Sequence, residues 1–474
     1  MRTFTAPLTE YSEFVGIQKE IDRKNLPIFV SGCIESQKSH LMYGLSENHP
    51  FRLIVTYSEQ KAKEICEDFK LYDNEVMYYP AKDIIFYNAD IHGNAIVKSR
   101  MQVLKRLAER KPVTVVVSLE AGMDRLIPAQ VFTGHIVTLH EGDCLEQETF
   151  LRTLVRLGYE RQGQVEAPGE FAVRGGIIDV YPLTEETPFR VDLWGDEIDT
   201  IRSFDVTNQR SIERVPSLAI YPATEFVLTD EQMAAGTARI RKECEKTDAA
   251  LKKQDKIEEA ARLRRTIAEF LENLDYLKSA VGLDSYVEYF YEETQSFFDY
   301  FNNEESMIFL DEPVRLTEKG KAVLTEFADS MQGRLEKGYI LPGQAAAIYD
   351  YKDLFVKLSR GNTVMLGTME QKEVLLAPKV KFALTVGGVS SYNNNFEILV
   401  KDLAKWKKAG YRVILMSASR TRAARLAEDL REFELSAFYA EKAERTLMPG
   451  EIMVTCGNVH RGFEYPLLKF TIIS

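Results

Sequence analysis

The chain has 474 residues, 45% of them hydrophobic and 28% charged, with a formal net charge of −12 and a pI near 5.3. That length calls for three or four domains, and the acidic balance argues against a chain that binds nucleic acid strongly by itself, because such binding rests on cationic contacts to phosphate. Five scattered cysteines (Cys33, Cys66, Cys144, Cys244, Cys456) form no C-x-x-C pair and have no His at ligand spacing, which excludes a disulfide framework and argues against a zinc site. The N-terminal MRTFTAPLTEYSEF has no apolar h-region and no run approaches eighteen apolar residues, so a cytoplasmic chain without export signal or membrane span is expected.

Residues 12–25 carry a short amphipathic pattern, and Leu26 to Val30 read as a strand. VSGCIESQKSHLMYGL then approaches the phosphate-binding pattern G-x-x-x-x-G-K-[ST], in which glycines let backbone N–H groups curl around phosphates. Gly32, Lys38 and Ser39 are in place, but Gln37 stands where the second Gly belongs. A side chain there crowds the phosphates, and the loop calls for a backbone conformation that only Gly enters easily. A degenerate loop that binds no nucleotide is expected.

Strands in FRLIVTYS, EVMYYP and VTVVVS alternate with helices at Glu59–Tyr72 and Ala95–Lys111, the latter with Met101, Leu104 and Leu107 on one face. Alternation of this kind predicts a doubly wound α/β domain. From about Thr133 the pattern turns to β. HIVTLHEGD reads as strand and turn, QETFLRTLVRLGYERQ as a helix running into a glycine-punctuated loop, and PGEFAVRGGIIDVYP with PFRVDLWGDEIDTIRSFD as an antiparallel sheet. In FRVDLWGD the period of two puts Phe189, Val191 and Leu193 on a core face and Arg190, Asp192 and Trp194 on the other. Arg and Trp concentrate binding energy at interfaces, the first as a rigid fork of donors, the second as a large flat surface. The alternative is that Trp194 packs on a neighbouring domain while Arg174 and Arg190 pair with local acids.

Residues 231–280 are a charged stretch of one or two helices, whose stripe of Ala260, Leu263, Ile267, Phe270, Leu274 and Leu277 fits a coiled-coil partner or packing on the first domain. The cluster Arg262, Arg264 and Arg265 reads as a solvated face, with nucleic-acid contact the alternative. SMIFLDEP is a strand ending in Asp311 and Glu312. In P-loop ATPases such acids hold the Mg²⁺ shell, whereas beside a spoiled loop they are expected to remain as a strand-end cap. KFALTVGGV and RVILMSAS read as strands of a separate last α/β unit, with helices in NNFEILVKDLAKWKKAG and RTRAARLAEDLREF and a C-cap at Gly410. FTIIS ends inside a strand pattern, so the chain is expected to be a piece of a longer one.

FAVRGGIIDVYP, PFRVDLWGDEIDTIRSFD and YYPAKDIIFYNADIHGNAIVKSRMQVL resemble the UvrB-homology module of the transcription-repair coupling factor (Mfd) family, from the first helix to about residue 350 and more weakly beyond. The resemblance implies a degenerate P-loop (RecA-like) α/β domain from residues 1–132 and 223–350, an inserted antiparallel β-rich domain at 133–222, and a separate smaller α/β domain at 351–474. It further implies that the inserted domain docks the repair ATPase UvrA through Arg174, Arg190 and Trp194, the last standing where the family tends to carry Phe, and less directly through Arg202. The RNA polymerase and DNA contacts and the ATP- and Mg-dependent translocase of such a protein are implied to lie outside this stretch, as is a C-terminal domain that masks the docking face. Gly32, Gln37, Lys38, Ser39, Asp311 and Glu312 are then a vestigial nucleotide site, with no cofactor or metal expected in this stretch. The alternative is a P-loop ATPase that still binds nucleotide at Lys38. No nucleophile elbow, H-E-x-x-H or C-x-x-C marks another catalytic centre.

Overall fold

The computed structural model describes residues 2–82, 94–276, 282–371, 375–392 and 395–474. Part of the YYPAKDIIFYNADIHGN stretch and Leu277 of the helical stripe lie outside them. The first domain is built on a seven-stranded parallel sheet, in the order Val380–Ala383, Ile28–Ser31, Thr363–Leu366, Ser306–Asp311, Phe51–Thr56, Val113–Ser118, Val76–Tyr79. Five of these strands are buried nearly throughout, as unbroken apolar runs in a sheet covered on both faces must be.

As expected, the chain leaves this sheet after Ser118 and returns at Ser306. Two of its strands correct the expected boundary. Thr363–Leu366 inserts between Ile28–Ser31 and Ser306–Asp311, and Val380–Ala383 pairs on the far side of Ile28–Ser31. The run KFALTVGGV is therefore divided: its first half closes the first sheet, and Gly387–Val389 opens the last one. A buried parallel strand carries no local mark of which sheet it will join, because its partners lie tens to hundreds of residues away.

The inserted domain is a six-stranded sheet ordered Ser211–Arg214, Glu197–Phe204, Phe189–Trp194, Ile177–Val180, Glu170–Arg174, Glu160–Arg161, antiparallel except at its last pair. Phe150 and Leu154 of the helix Gln147–Arg156 pack on Ile178, Val191 and Ile201. The pair Val137–His140 and Ser217–Ile220 closes the base of the domain. A buried ion cluster lies in the first domain, where the chain re-enters it after the inserted one. Arg100, fully enclosed, pairs with Glu225 and, at 2.8 Å, with Asp124, while Lys82 bridges Glu225 (2.5 Å) and Asp284 (3.1 Å). Burial pushes Asp124 up to about 6. Burial would raise Glu225 too, but Arg100 and Lys82 together hold it at about 2.

The charged stretch folds as two helices, Asp230–Lys253 and Ile257–Tyr276, and Ala260, Leu263, Ile267, Leu271 and Leu274 pack into the first domain's core. Arg262 donates to the Lys337 carbonyl at 2.6 Å and lies over the Tyr339 ring, and Arg264 pairs with Asp248 at 3.3 Å. The last unit is a mixed sheet in the order Gly387–Val389, Gly462–Tyr465, Phe470–Ile473, Arg412–Ser417, Ile452–Cys456, Ala437–Tyr439. Leu399, Leu403, Ala423 and Leu430 of its two long helices cover one face. Its other face shares a core with the N-terminal helices, so the unit is packed on the first domain rather than apart from it: Ile414, Phe463, Tyr465 and Phe470 meet Phe4, Leu8, Leu41 and Phe69. Among the described residues no helix is long and apolar enough to cross a membrane.

Candidate partner-docking face and the closed phosphate loop

Two hairpins position the sequence-predicted docking residues. Arg174 pairs with Ile177 across a two-residue turn at Gly175-Gly176, and Trp194 pairs with Glu197 across Gly195-Asp196. Gly175 and Gly195 take φ of +61° and +64°, and a Cβ on either would meet nothing within 4 Å. They are needed for the left-handed backbone of a tight hairpin rather than for space. The strands before the two turns run parallel to each other, so Arg174 and Trp194 stand at the same end of the sheet. The register Arg174↔Ile177↔Asp192 puts them two strands and one pleat apart, roughly 12 Å from strand spacing and rise.

The expected alternation holds. Val191 is buried, Arg190 and Asp192 face outward, and Trp194 is 84% exposed. Among the described residues it packs on no neighbouring domain. The arginines, in contrast, do pair locally. Asp179, 1% exposed, accepts from Arg190 Nε at 2.7 Å and Nη2 at 2.9 Å, and from Arg174 Nη2 at 2.5 Å. Arg190 also donates to Gln209 and lies 4.5 Å over the Phe204 ring, which leaves its side chain 15% exposed. Its hydrogen bonds to Asp179 raise its pKa further. Arg174 keeps 46% of its side chain open. Arg202 pairs with Asp192, which also accepts from the Thr200 hydroxyl at 2.8 Å. The register Asp179↔Arg190↔Arg202↔Arg214 makes this one continuous polar face. Sequence reasoning missed Asp179. The available signal was an acid in the middle of the apolar run IIDVYP, flanked by two arginines.

The phosphate-loop residues do converge, but on one another. Gly32 takes φ +77°, and a Cβ there would sit 2.1 Å from the Leu384 carbonyl oxygen, so the loop lies against backbone. The helix Glu35–Leu45 starts three residues earlier than its Lys38-Ser39 signature marks, and Gln37, Lys38, Ser39 and His40 are all buried in it. Gln37 Oε1 accepts from the Ile34 N–H at 3.1 Å, a kind of donor that a functional loop gives to phosphate. Lys38 Nζ meets Asp311 at 2.7 Å and Glu312 at 2.6 Å. Burial would lower Lys38, yet the two carboxylates hold it above its ordinary value. Asp311 accepts from Thr56 at 2.8 Å and Glu312 from the Thr368 N–H at 2.9 Å. Where a strand-end cap was expected, both acids are ion-pair partners of Lys38, since a buried ammonium needs a counter-charge.

Gln37 also reaches the last unit, with Nε2 donating to the Tyr465 hydroxyl at 2.9 Å. That hydroxyl donates in turn to His40 Nδ1 at 3.0 Å, and His40 Nε2 donates to the Phe4 carbonyl at 2.9 Å. Burial drives the His40 pKa down to about 4, so the ring is neutral and its Nδ1 is the acceptor for the Tyr465 hydroxyl. Among the described residues no group of three or more His, Cys, Asp or Glu is arranged to hold a metal ion.

The fold and its face define a two-sheet α/β scaffold carrying an inserted β domain whose hairpin end leaves Trp194 and Arg174 exposed. Residues 137–226 match the UvrB interaction domain family, which spans the inserted sheet. The whole chain is similar to transcription-repair-coupling factors: 28% identical to that of Bacillus subtilis (strain 168) over 94% of this chain and 38% of the relative. It is 27% identical to that of Staphylococcus epidermidis (strain ATCC 12228) over 98% and 39%, and 26% identical to that of Staphylococcus aureus (strain MRSA252) over 100% and 40%. These matches bear out the resemblance to the UvrB-homology region of the coupling factors. The chain spans about two fifths of the length of these curated relatives.

Proposed function

We propose that this chain is a docking module that recruits UvrA in transcription-coupled nucleotide excision repair, within a cytoplasmic protein that links stalled RNA polymerase to the excision machinery. The observation that carries this reading is Trp194, 84% exposed at the same end of the sheet as half-open Arg174, inside the stretch matched to the UvrB interaction domain. A large aromatic left in water beside a guanidinium has the chemistry of an interface hot spot. This stretch performs no catalytic step of its own. Polymerase contact, DNA translocation, ATP and Mg belong to other parts of such a protein.

The alternative of a nucleotide-binding P-loop finds no favour in the geometry, since Lys38 is already neutralised by two carboxylates and Gln37 fills the loop. Nucleic-acid binding by the arginine cluster is likewise disfavoured, because Arg262 and Arg264 are engaged with neighbouring elements. Calorimetric titration with purified UvrA tests the proposal. Saturable binding that weakens in Arg174→Ala supports it, and no binding by the folded wild type overturns it.

A further inference from the structure

Three arginines were expected on the docking face, yet they are not equivalent. Arg190 has its fork on Asp179, a further bond to Gln209 and a ring beneath it. Arg202 is taken up by Asp192. Among the described residues Arg174 has one hydrogen-bond partner, Asp179 through Nη2, and 46% of its side chain is exposed. Two guanidiniums therefore share one carboxylate, and the surplus positive charge sits at Arg174. Arg carries five N–H donors in a rigid plane, so a guanidinium held by one amine still presents an open edge. Asp179 is buried and cannot swing out to meet a partner. What it does is fix the plane in which that edge lies, against Arg190 as a brace.

We infer that Asp179 is the positioning residue of the docking face, aiming Arg174 at a carboxylate of the partner protein, with Arg190 serving as a brace rather than a contact. This rests on the docking reading above. A side chain as long as arginine, released from Asp179, would sample many rotamers, and ordering it again on binding costs affinity. With Arg174 aimed, the partner needs one acid beside an apolar recess for Trp194, roughly 12 Å away on the strand geometry.

The test is a double-mutant cycle with purified UvrA. Asp179→Asn keeps the shape and removes the charge. It is expected to weaken binding about 10-fold, and Arg174→Ala about 30-fold or more, in the range of charge pairs at interfaces. The double variant should bind no more weakly than Arg174→Ala alone, because Asp179 acts through Arg174. Additive losses, or unchanged affinity in Asp179→Asn while Trp194→Ala loses binding, overturn this inference and leave the docking reading standing. If Trp194→Ala and Arg174→Ala both bind like wild type, the docking reading itself falls. Should Asp179→Asn fail to fold, Arg174→Lys decides the matter. Its ammonium can still pair with Asp179 but lacks the second edge, so it is expected to melt like wild type and bind like Arg174→Ala, and wild-type affinity would refute the role.

Discussion

Replacing Trp194 with Ala separates binding from folding. Large aromatic side chains offer about 150–250 Å² of surface, and with Trp194 84% open nearly all of it is free to be covered by a partner. At about 25 cal/mol per Å², burying about 200 Å² gives an upper limit of about 5 kcal/mol. Ordering the side chain costs about 0.5–1.5 kcal/mol, and incomplete burial removes more, leaving about 2–4 kcal/mol, or roughly 30- to 1000-fold in affinity. Stability should change by no more than about 0.5 kcal/mol, since the ring supports nothing in the free protein. Arg190→Ala provides the contrast. Asp179 is 1% exposed and would lose two of its three arginine bonds, so this variant is expected to lose about 2–3 kcal/mol of stability. Calorimetry with UvrA reads the first effect and denaturant unfolding the second. A Trp194→Ala protein that binds UvrA with wild-type affinity, or that loses as much stability as Arg190→Ala, would refute the reasoning.

Three further outcomes concern the scaffold. Lys38→Ala leaves Asp311 and Glu312 buried without their counter-charge and is expected to cost about 3–5 kcal/mol. An unchanged urea midpoint would show that the acids are satisfied otherwise. His40 has a folded pKa of about 4 against an ordinary 6.5, so the unfolded chain takes up the proton first. Its contribution is fully present above pH 6.5 and is lost as pH falls toward 4, by about 3 kcal/mol in all. His40→Gln should flatten the stability profile across that window relative to wild type, and parallel profiles would contradict the neutral-histidine bonding with Tyr465 and Phe4. Gly32→Ala meets both a left-handed backbone and the Leu384 carbonyl at 2.1 Å, and it should cost well over about 1 kcal/mol. A wild-type melting temperature would mean that the loop has room after all.

Much of the molecule was legible because its signals are local. The period-two alternation of FRVDLW places Trp194 on the outer face, and R-G-G and W-G-D mark hairpin turns by the glycine that a left-handed φ requires. The β-branched runs announced buried parallel strands, and Gln37 marked where the chain departs from the phosphate-loop pattern. A long helical stretch with one apolar stripe followed from spacing alone.

Local pattern thus marks which residues are core, which are turns, and which side chains stand on the outer face of the inserted sheet. The partners they meet are set by the folded arrangement. Thr363–Leu366 and Val380–Ala383 could be read as strands but not assigned to the first sheet, and Gln37 could be seen to block the loop but not to bond Tyr465, 428 residues away. Nor could the chain alone show that Arg190 is spent on Asp179 while Arg174 is half free. The physical reason is the same in each case. Backbone propensity and hydrophobic period act over a few residues, whereas strand order, counter-ions and hydrogen-bond partners are chosen by which distant segments the collapsed core brings within about 3 Å of each other.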